Sequence, residues 1–233
     1  MLVSTLPAMH FDPVNIFFQI VVLLFAISVH ESAHAWMANR LGDPTAKMLG
    51  RVSLNPIVHI DPFGTILVPA LLVLFGFPAF GWAKPTPVDS RNFKDPTRDD
   101  ILTAVAGPIS NFVTAFVAVL AVAMLFHGTM RGIPLTFRRT DFGGPLLQLF
   151  SSAITINIVL AVFNLIPLPP LDGSHVIRPF LSYEAVKAYD RFGYFGLMII
   201  MFVLPMIGVP IISMIITPFL GFYQGLLNLF LRL

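Results

Sequence analysis

Of 233 residues, 56% are hydrophobic and only 11% charged, with a formal net charge of +2 and a mean hydropathy of +0.84. Soluble domains carry roughly 25% charged residues, so the composition places residues 1–233 in lipid as a single membrane-embedded domain, with the bilayer as its solvent. The small basic excess has no cluster interleaved with aromatics, which excludes nucleic acid as a partner, and the absence of cysteine excludes disulfides, Cys-ligated zinc and thiol catalysis.

In chain order, the first thirteen residues hold no Lys or Arg and the first cation is Arg40, so a cleavable leader with a basic start is not expected and the first apolar segment is retained. Residues 14–38 predict a first core helix. The 24 residues from Val14 to Met37 reach about 36 Å, enough to cross hydrocarbon. Arg40 to Asp61 reads as a polar loop of turns. Residues 63–80 are apolar again but interrupted by Gly64, Pro69, Gly76 and Pro78. A charged stretch through Pro85, Pro87 and Pro96 precedes a second core helix over 101–126. After a polar loop, a third runs over 146–166 and breaks at Pro167, Pro169 and Pro170. Residues 174–190 read as amphipathic and polar, and 192–231 as a pair of spanning helices turned at Gly208 and Pro210. The fold class is therefore an all-α polytopic membrane protein with a three-helix core.

The chemistry concentrates in His30-Glu31-Ser32-Ala33-His34. Residues four apart share a helix face, so both imidazoles can reach one metal ion while Glu31 leans toward the water that the metal activates. Polar groups late in a lipid-buried helix are costly, about 2.5–3.5 kcal/mol for an acid at mid-helix, which argues for a function. Catalytic zinc takes three protein ligands and keeps one open position. Asp172, in Pro170-Leu171-Asp172-Gly173, is the one remaining acid closely flanked by apolar sequence. Alone it would read as an Asp-Gly turn; the need for a third ligand favours a metal role. The expected cofactor is one zinc ion per chain.

Topology tests that pairing. If the first helix brings its histidines to the inner end, Asp172 must lie there too, so the third helix runs parallel to the first and the second is the single return crossing. Residues 63–80 must then dip into the membrane and come back, as a re-entrant loop. This arrangement puts eleven of fourteen cations inside and Arg131, Arg138 and Arg139 outside, in agreement with the positive-inside rule.

These residues resemble the site-2 protease family of intramembrane zinc metalloproteases. HESAH, Ala106 to Asn111 (AGPISN) and Asn164 to Gly173 (NLIPLPPLDG) are similar to that family's three motifs in order, and Gly50 to Thr65 with Gly81 to Pro85 look like its compact members without a PDZ domain. The resemblance implies His30, His34 and Asp172 as zinc ligands, Glu31 as general base, Asn164 holding the substrate strand or the developing oxyanion, and Asn111 in support. It also implies a transmembrane protein or peptide substrate, in the lipid bilayer of the cytoplasmic membrane with the site facing the cytoplasm. From the residues alone, Asn164 stays open between a helix-end cap and an oxyanion donor. Asn157 reads as packing glue between helices, and His59 and Asp61 as turn-stabilising groups. His10, His127 and His175 carry no assigned role. A zinc-binding membrane protein or transporter without hydrolytic activity is the alternative; it would need ligands along a path, whereas here they gather at one depth.

Overall fold

The computed structural model describes residues 13–74, 81–130 and 143–232, and among them every regular element is helical. The long elements are α1 (Pro13–Leu41), α4 (Pro96–Met130), α5 (Gly143–Asn164), α7 (Tyr183–Met198) and α9 (Ile211–Arg232). Short helices α2 (Thr45–Met48) and α3 (Val68–Leu74) follow α1, α6 (Gly173–Ile177) follows α5, and α8 (Leu204–Met206) continues α7 through a π-helical turn at Ile199–Val203. Five segments are long and apolar enough to cross a membrane: Ile16–Leu41, Pro96–His127, Gly144–Asn164, Tyr183–Met206 and Ile211–Arg232. The chain is an all-α polytopic membrane protein.

Two boundaries differ from the sequence expectation for identifiable reasons. Helix α4 begins at Pro96 rather than near 101 because Asp95 accepts the Arg98 N–H at 3.1 Å while its own N–H donates to Asp99 at 3.2 Å, a reciprocal cap that starts the helix on charged residues. Helix α7 begins at Tyr183, capped by the Ser182 hydroxyl, so the polar residues before Asp190 form the first turns of a spanning segment. The turn before α9 falls as expected, with Gly208 at φ 82°, a left-handed conformation for which glycine carries no Cβ penalty. The expected loop over 127–144, with Arg131, Arg138 and Arg139, lies largely outside the described residues.

Helices α1, α4 and α5 pack on one another, and α9 packs against α4 and α5. Small residues set the spacing: Ala26, Ala35 and Ala38 of α1, Ala104, Ala106, Ala115 and Ala118 of α4, and Ala161 of α5 are all buried. Lipid gives no hydrophobic reason for helices to associate, so close backbone approach through small side chains supplies the packing. A satellite cluster of Val119, Ile158, Val162, Ile216 and Tyr223 joins α9 to the core, and the Tyr223 hydroxyl donates to the Phe112 carbonyl at 2.7 Å.

The chain before residue 75 and the chain after residue 80 meet again. Asp61 accepts the Phe63 and Gly64 N–H groups and starts a π-helical turn, Pro62–Leu67, that leads into α3. Beyond residues 75–80, which lie outside the description, the Trp82 N–H donates to the Gly64 carbonyl at 3.1 Å and the Thr65 hydroxyl donates to the Trp82 carbonyl at 2.9 Å. A Cβ on Gly64 would lie 2.3 Å from the Trp82 indole, and one on Gly81 would lie 2.2 Å from the Gly64 carbonyl, so both glycines are needed for this closure. A full crossing would separate the two ends by about 30 Å of hydrocarbon. The two ends of the excursion lie together, as a re-entrant loop would require.

Asp43 ties the loops on this side together. Fully buried just past α1, it accepts from the Thr45 N–H and hydroxyl, the Asn92 amide and the Asp89 N–H. Burial pushes its carboxyl up, but these donors prevail and hold it below its usual value of 3.8. Removing the carboxylate in Asp43→Ala orphans donors from two loops and is expected to lower Tm in detergent by about 3–8 °C. A carboxyl whose pKa is depressed on folding stabilises at pH above its unfolded value. The Tm gap between the two proteins should therefore be constant at neutral pH and shrink as pH falls below about 4; a gap that persists unchanged at pH 2.5 would contradict the assignment.

Candidate metal centre

The polar groups of the three core helices gather at one level. His30 and His34 lie on the buried face of α1, one helical turn apart, with ring centroids 4.6 Å apart and planes nearly perpendicular. Asp172 reaches them from the far end of α5. There the proline-rich run folds into successive turns, Leu168 N–H to Ile166, Leu171 N–H to Leu168 and Ser174 N–H to Leu171. The chain doubles back so closely that a Cβ on Gly173 would lie 2.3 Å from the Leu165 carbonyl oxygen. The result places Asp172 Oδ2 at 3.1 Å from His30 Nε2 and 3.4 Å from His34 Nε2. One ligand atom from each of the three residues lies within 4.8 Å of the others, and among the described residues this is the one such group of three.

The far side of each ring fixes what the near side presents. His30 Nδ1 faces Asn111 Oδ1 at 2.6 Å. The Asn111 amide nitrogen donates to the Ala26 carbonyl and to Asn157 Oδ1, so its oxygen must be the atom that accepts from His30. His34 Nδ1 lies 2.7 Å from the Thr103 carbonyl, which can only accept. Both Nδ1 atoms therefore carry hydrogen, and both rings turn Nε2, the atom each would offer to a metal, toward Asp172. Asp172 Oδ2 is buried and receives no hydrogen bond. A single divalent cation would engage all three atoms at once. Two imidazoles and a carboxylate form a donor set suited to zinc. The residues fit the metal.

Helix α4 is shaped to admit it. A Cβ on Gly107 would lie 2.3 Å from His34 Nε2 and 2.7 Å from His30 Cε1, so only glycine leaves the rings their space. Pro108, within the helix, has no N–H and displaces the carbonyl four residues earlier. Thr103, which offers its carbonyl to His34, lies one turn before this proline. Asn111, one turn further on, is fully buried between α1 and α5.

The remaining predicted residues divide. Glu31 is half-buried beside His30, and its Oε2 accepts from the Thr86 N–H at 3.1 Å and the Thr86 hydroxyl at 2.7 Å. Asn164 is the last residue of α5, and its amide donates to the Leu160 carbonyl at 2.9 Å within its own helix; among the described residues no hydrogen bond joins it to the three ligands. Asn157 does bridge helices, through Asn111. His59 and Asp61 serve the loop: His59 is buried with Nε2 at 2.8 Å from the Ser53 carbonyl, and Asp61 caps the π-helical turn. His175, given no role from sequence, pairs with Asp100 at 2.7 Å and anchors the Asp172 loop to the start of α4. Thr103, Gly107 and Thr86 were not singled out by the sequence. Only the glycine-proline pair in AGPISN hinted at close approach.

The peptidase family M50 model matches residues 18–207. YwhC of Bacillus subtilis, whose name describes a candidate zinc metalloprotease, is 43% identical over 159 residues, covering 68% of this chain and 67% of its own. Rip2 of Mycolicibacterium smegmatis, similarly named, is 26% identical over 185 residues, covering 78% of this chain and 64% of its own. MJ0392 of Methanocaldococcus jannaschii, named a zinc metalloprotease, is 24% identical over 214 residues, covering 89% of this chain and 49% of its own. The chain thus spans between half and two thirds of these relatives' lengths. No solved structure matches.

Asn111→Leu keeps the volume and removes the acceptor that sets the His30 tautomer, and is expected to weaken zinc binding by about 10–100-fold. Gly107→Ala should weaken it at least as much, by displacing a ring. Competition against a calibrated chelator, with circular dichroism to verify folding, measures both. Unchanged affinity in either folded variant would refute the corresponding contact's role.

Proposed function

The chain belongs to peptidase family M50, and on that premise we propose that it is an intramembrane zinc endopeptidase, cleaving peptide bonds within or near a transmembrane segment of another membrane protein. The observation that carries this reading is the convergence of His30 Nε2, His34 Nε2 and the undonated Asp172 Oδ2, with Glu31 adjoining. One zinc ion held by these three residues would polarise the scissile carbonyl and bring a water's pKa to about 7. Glu31 accepts a proton from the attacking water as its oxygen bonds to the carbonyl carbon. The same carboxyl then gives that proton to the departing amine as the C–N bond breaks. Asn111 and the Thr103 carbonyl hold the two rings in the orientation that this requires. Asn164, at the adjoining helix end, is proposed to steady the substrate strand through its free oxygen.

A transmembrane substrate shields its carbonyls in a helical ladder, so it must unwind locally before attack. The extended segment beside the re-entrant loop supports such a reading, since an unwound strand finds backbone partners along another. The cations Arg40, Lys47, Arg51, Lys84 and Arg91, at the end of α1 and in the loops between α1 and α4, support a cytoplasmic-facing centre in the inner membrane.

In liposomes containing a single-span membrane substrate, Glu31→Gln is expected to retain one zinc per chain and lose about 10²–10⁴-fold in cleavage rate, whereas Asp172→Ala should lose the metal and the activity together. Chelation should stop cleavage and added zinc should restore it, with mass spectrometry placing the cut in the span. A Glu31→Gln protein that cleaves at the native rate eliminates the mechanism.

A further inference from the structure

We propose that Thr86 is a positioning residue that aims the Glu31 carboxylate at the reaction site. The inference rests on the protease reading above and deepens it. Residues 81–89 form an extended strap with no regular element, crossing α1 at Glu31. The strap is fixed on both sides of that crossing. The Trp82 N–H donates to Gly64, the Lys84 N–H to the His59 carbonyl at 2.9 Å, and the Asp89 N–H to Asp43 Oδ2 at 2.8 Å.

Between these anchors the sequence is Pro85-Thr86-Pro87. Neither proline has an N–H, and Pro87 restricts Thr86 to extended conformations. Thr86 therefore offers the one backbone donor of the three, and that donor goes to Glu31 Oε2. Its hydroxyl hydrogen goes to the same oxygen at 2.7 Å, with the Glu31 carbonyl a longer alternative at 3.1 Å. Two donors on Oε2 fix the carboxylate's rotation. Oε1 has no protein donor among the described residues and is left to meet the attacking water. A free glutamate on a helix samples several rotamers; this one is held in a single orientation by a stiff segment anchored at both ends.

Thr86→Val removes the hydroxyl and keeps the branched shape and the N–H; Thr86→Ser keeps the hydroxyl. Thr86→Val is expected to lower kcat about 10–100-fold, the loss of one hydrogen bond to a charged group, with KM within twofold, zinc content unchanged and Tm near wild type. Thr86→Ser should restore most of kcat. An activity-independent readout is the Glu31 carboxylate stretch in the infrared, identified by its loss in Glu31→Gln. It should shift in Thr86→Val and stay in place in Thr86→Ser. Native kcat in Thr86→Val, a Thr86→Ser protein as slow as Thr86→Val, or a band unmoved by Thr86→Val would each overturn the proposal. If wild type shows no zinc-dependent cleavage the protease reading fails by itself, and a shifted band then still establishes the contact while removing its catalytic purpose.

Discussion

The meeting of three metal-ligating atoms in one buried place dictates the architecture of this protein. Two imidazole nitrogens and one carboxylate oxygen converge in a buried position, where an uncompensated group costs several kcal/mol. Water would answer the same demand at a surface. Beneath the packed ends of three helices, the arrangement makes physical sense as a cation site, and the surroundings follow from keeping those atoms pointed inward. Asn111 and the Thr103 carbonyl take the Nδ1 hydrogens, Asn157 orients Asn111, and the turns after α5 carry Asp172 back over the helix end.

The motif Ala106 to Asn111 shows how one helix turn can meet several demands at once. Gly107 removes the Cβ that would occupy the imidazole space, Pro108 leaves the Ala104 carbonyl without its helical N–H partner, and Asn111 reaches His30 from the following turn. A glycine and a proline inside a soluble helix would together cost about 4 kcal/mol against alanine. In a membrane helix, where unfolding to water-solvated backbone is not an alternative, neighbouring helices bear that cost.

Much of this was legible because it depends on local periodicity. The i, i+4 spacing of His30 and His34 puts two ligands on one face whatever surrounds them, and a 24-residue apolar run has one stable form in lipid. Asp172 was readable only by elimination: the sequence has few acids beside apolar residues, and a third ligand has to come from the end of the third helix that lies beside the histidines. The contacts of Thr86 with Glu31, and of Thr103 with His34, join residues 55 and 69 positions apart. No local pattern encodes such separations, and a threonine between two prolines reads as a turn. The start of α7 was misplaced for a different reason. Its first turns are amphipathic, and hydropathy alone assigns such residues to water even when Ser182 caps them into a spanning helix.

The closed excursion after Asp61 and the strap that follows it make a single device. Because Trp82 returns to Gly64, the chain emerges beside its own entry point, and the next seven residues lead over Glu31 to Asp43 at the end of α1. A segment that crossed the bilayer would deliver the same residues to the opposite face, about 30 Å from the histidines. The glycines at 64 and 81 are therefore linked to the chemistry through geometry alone: without their close approach the closure fails, and without the closure Thr86 has no fixed place from which to hold the base. In this fold the return of the chain to Gly64 is the means by which the next loop is brought to the histidine-bearing helix at a defined height.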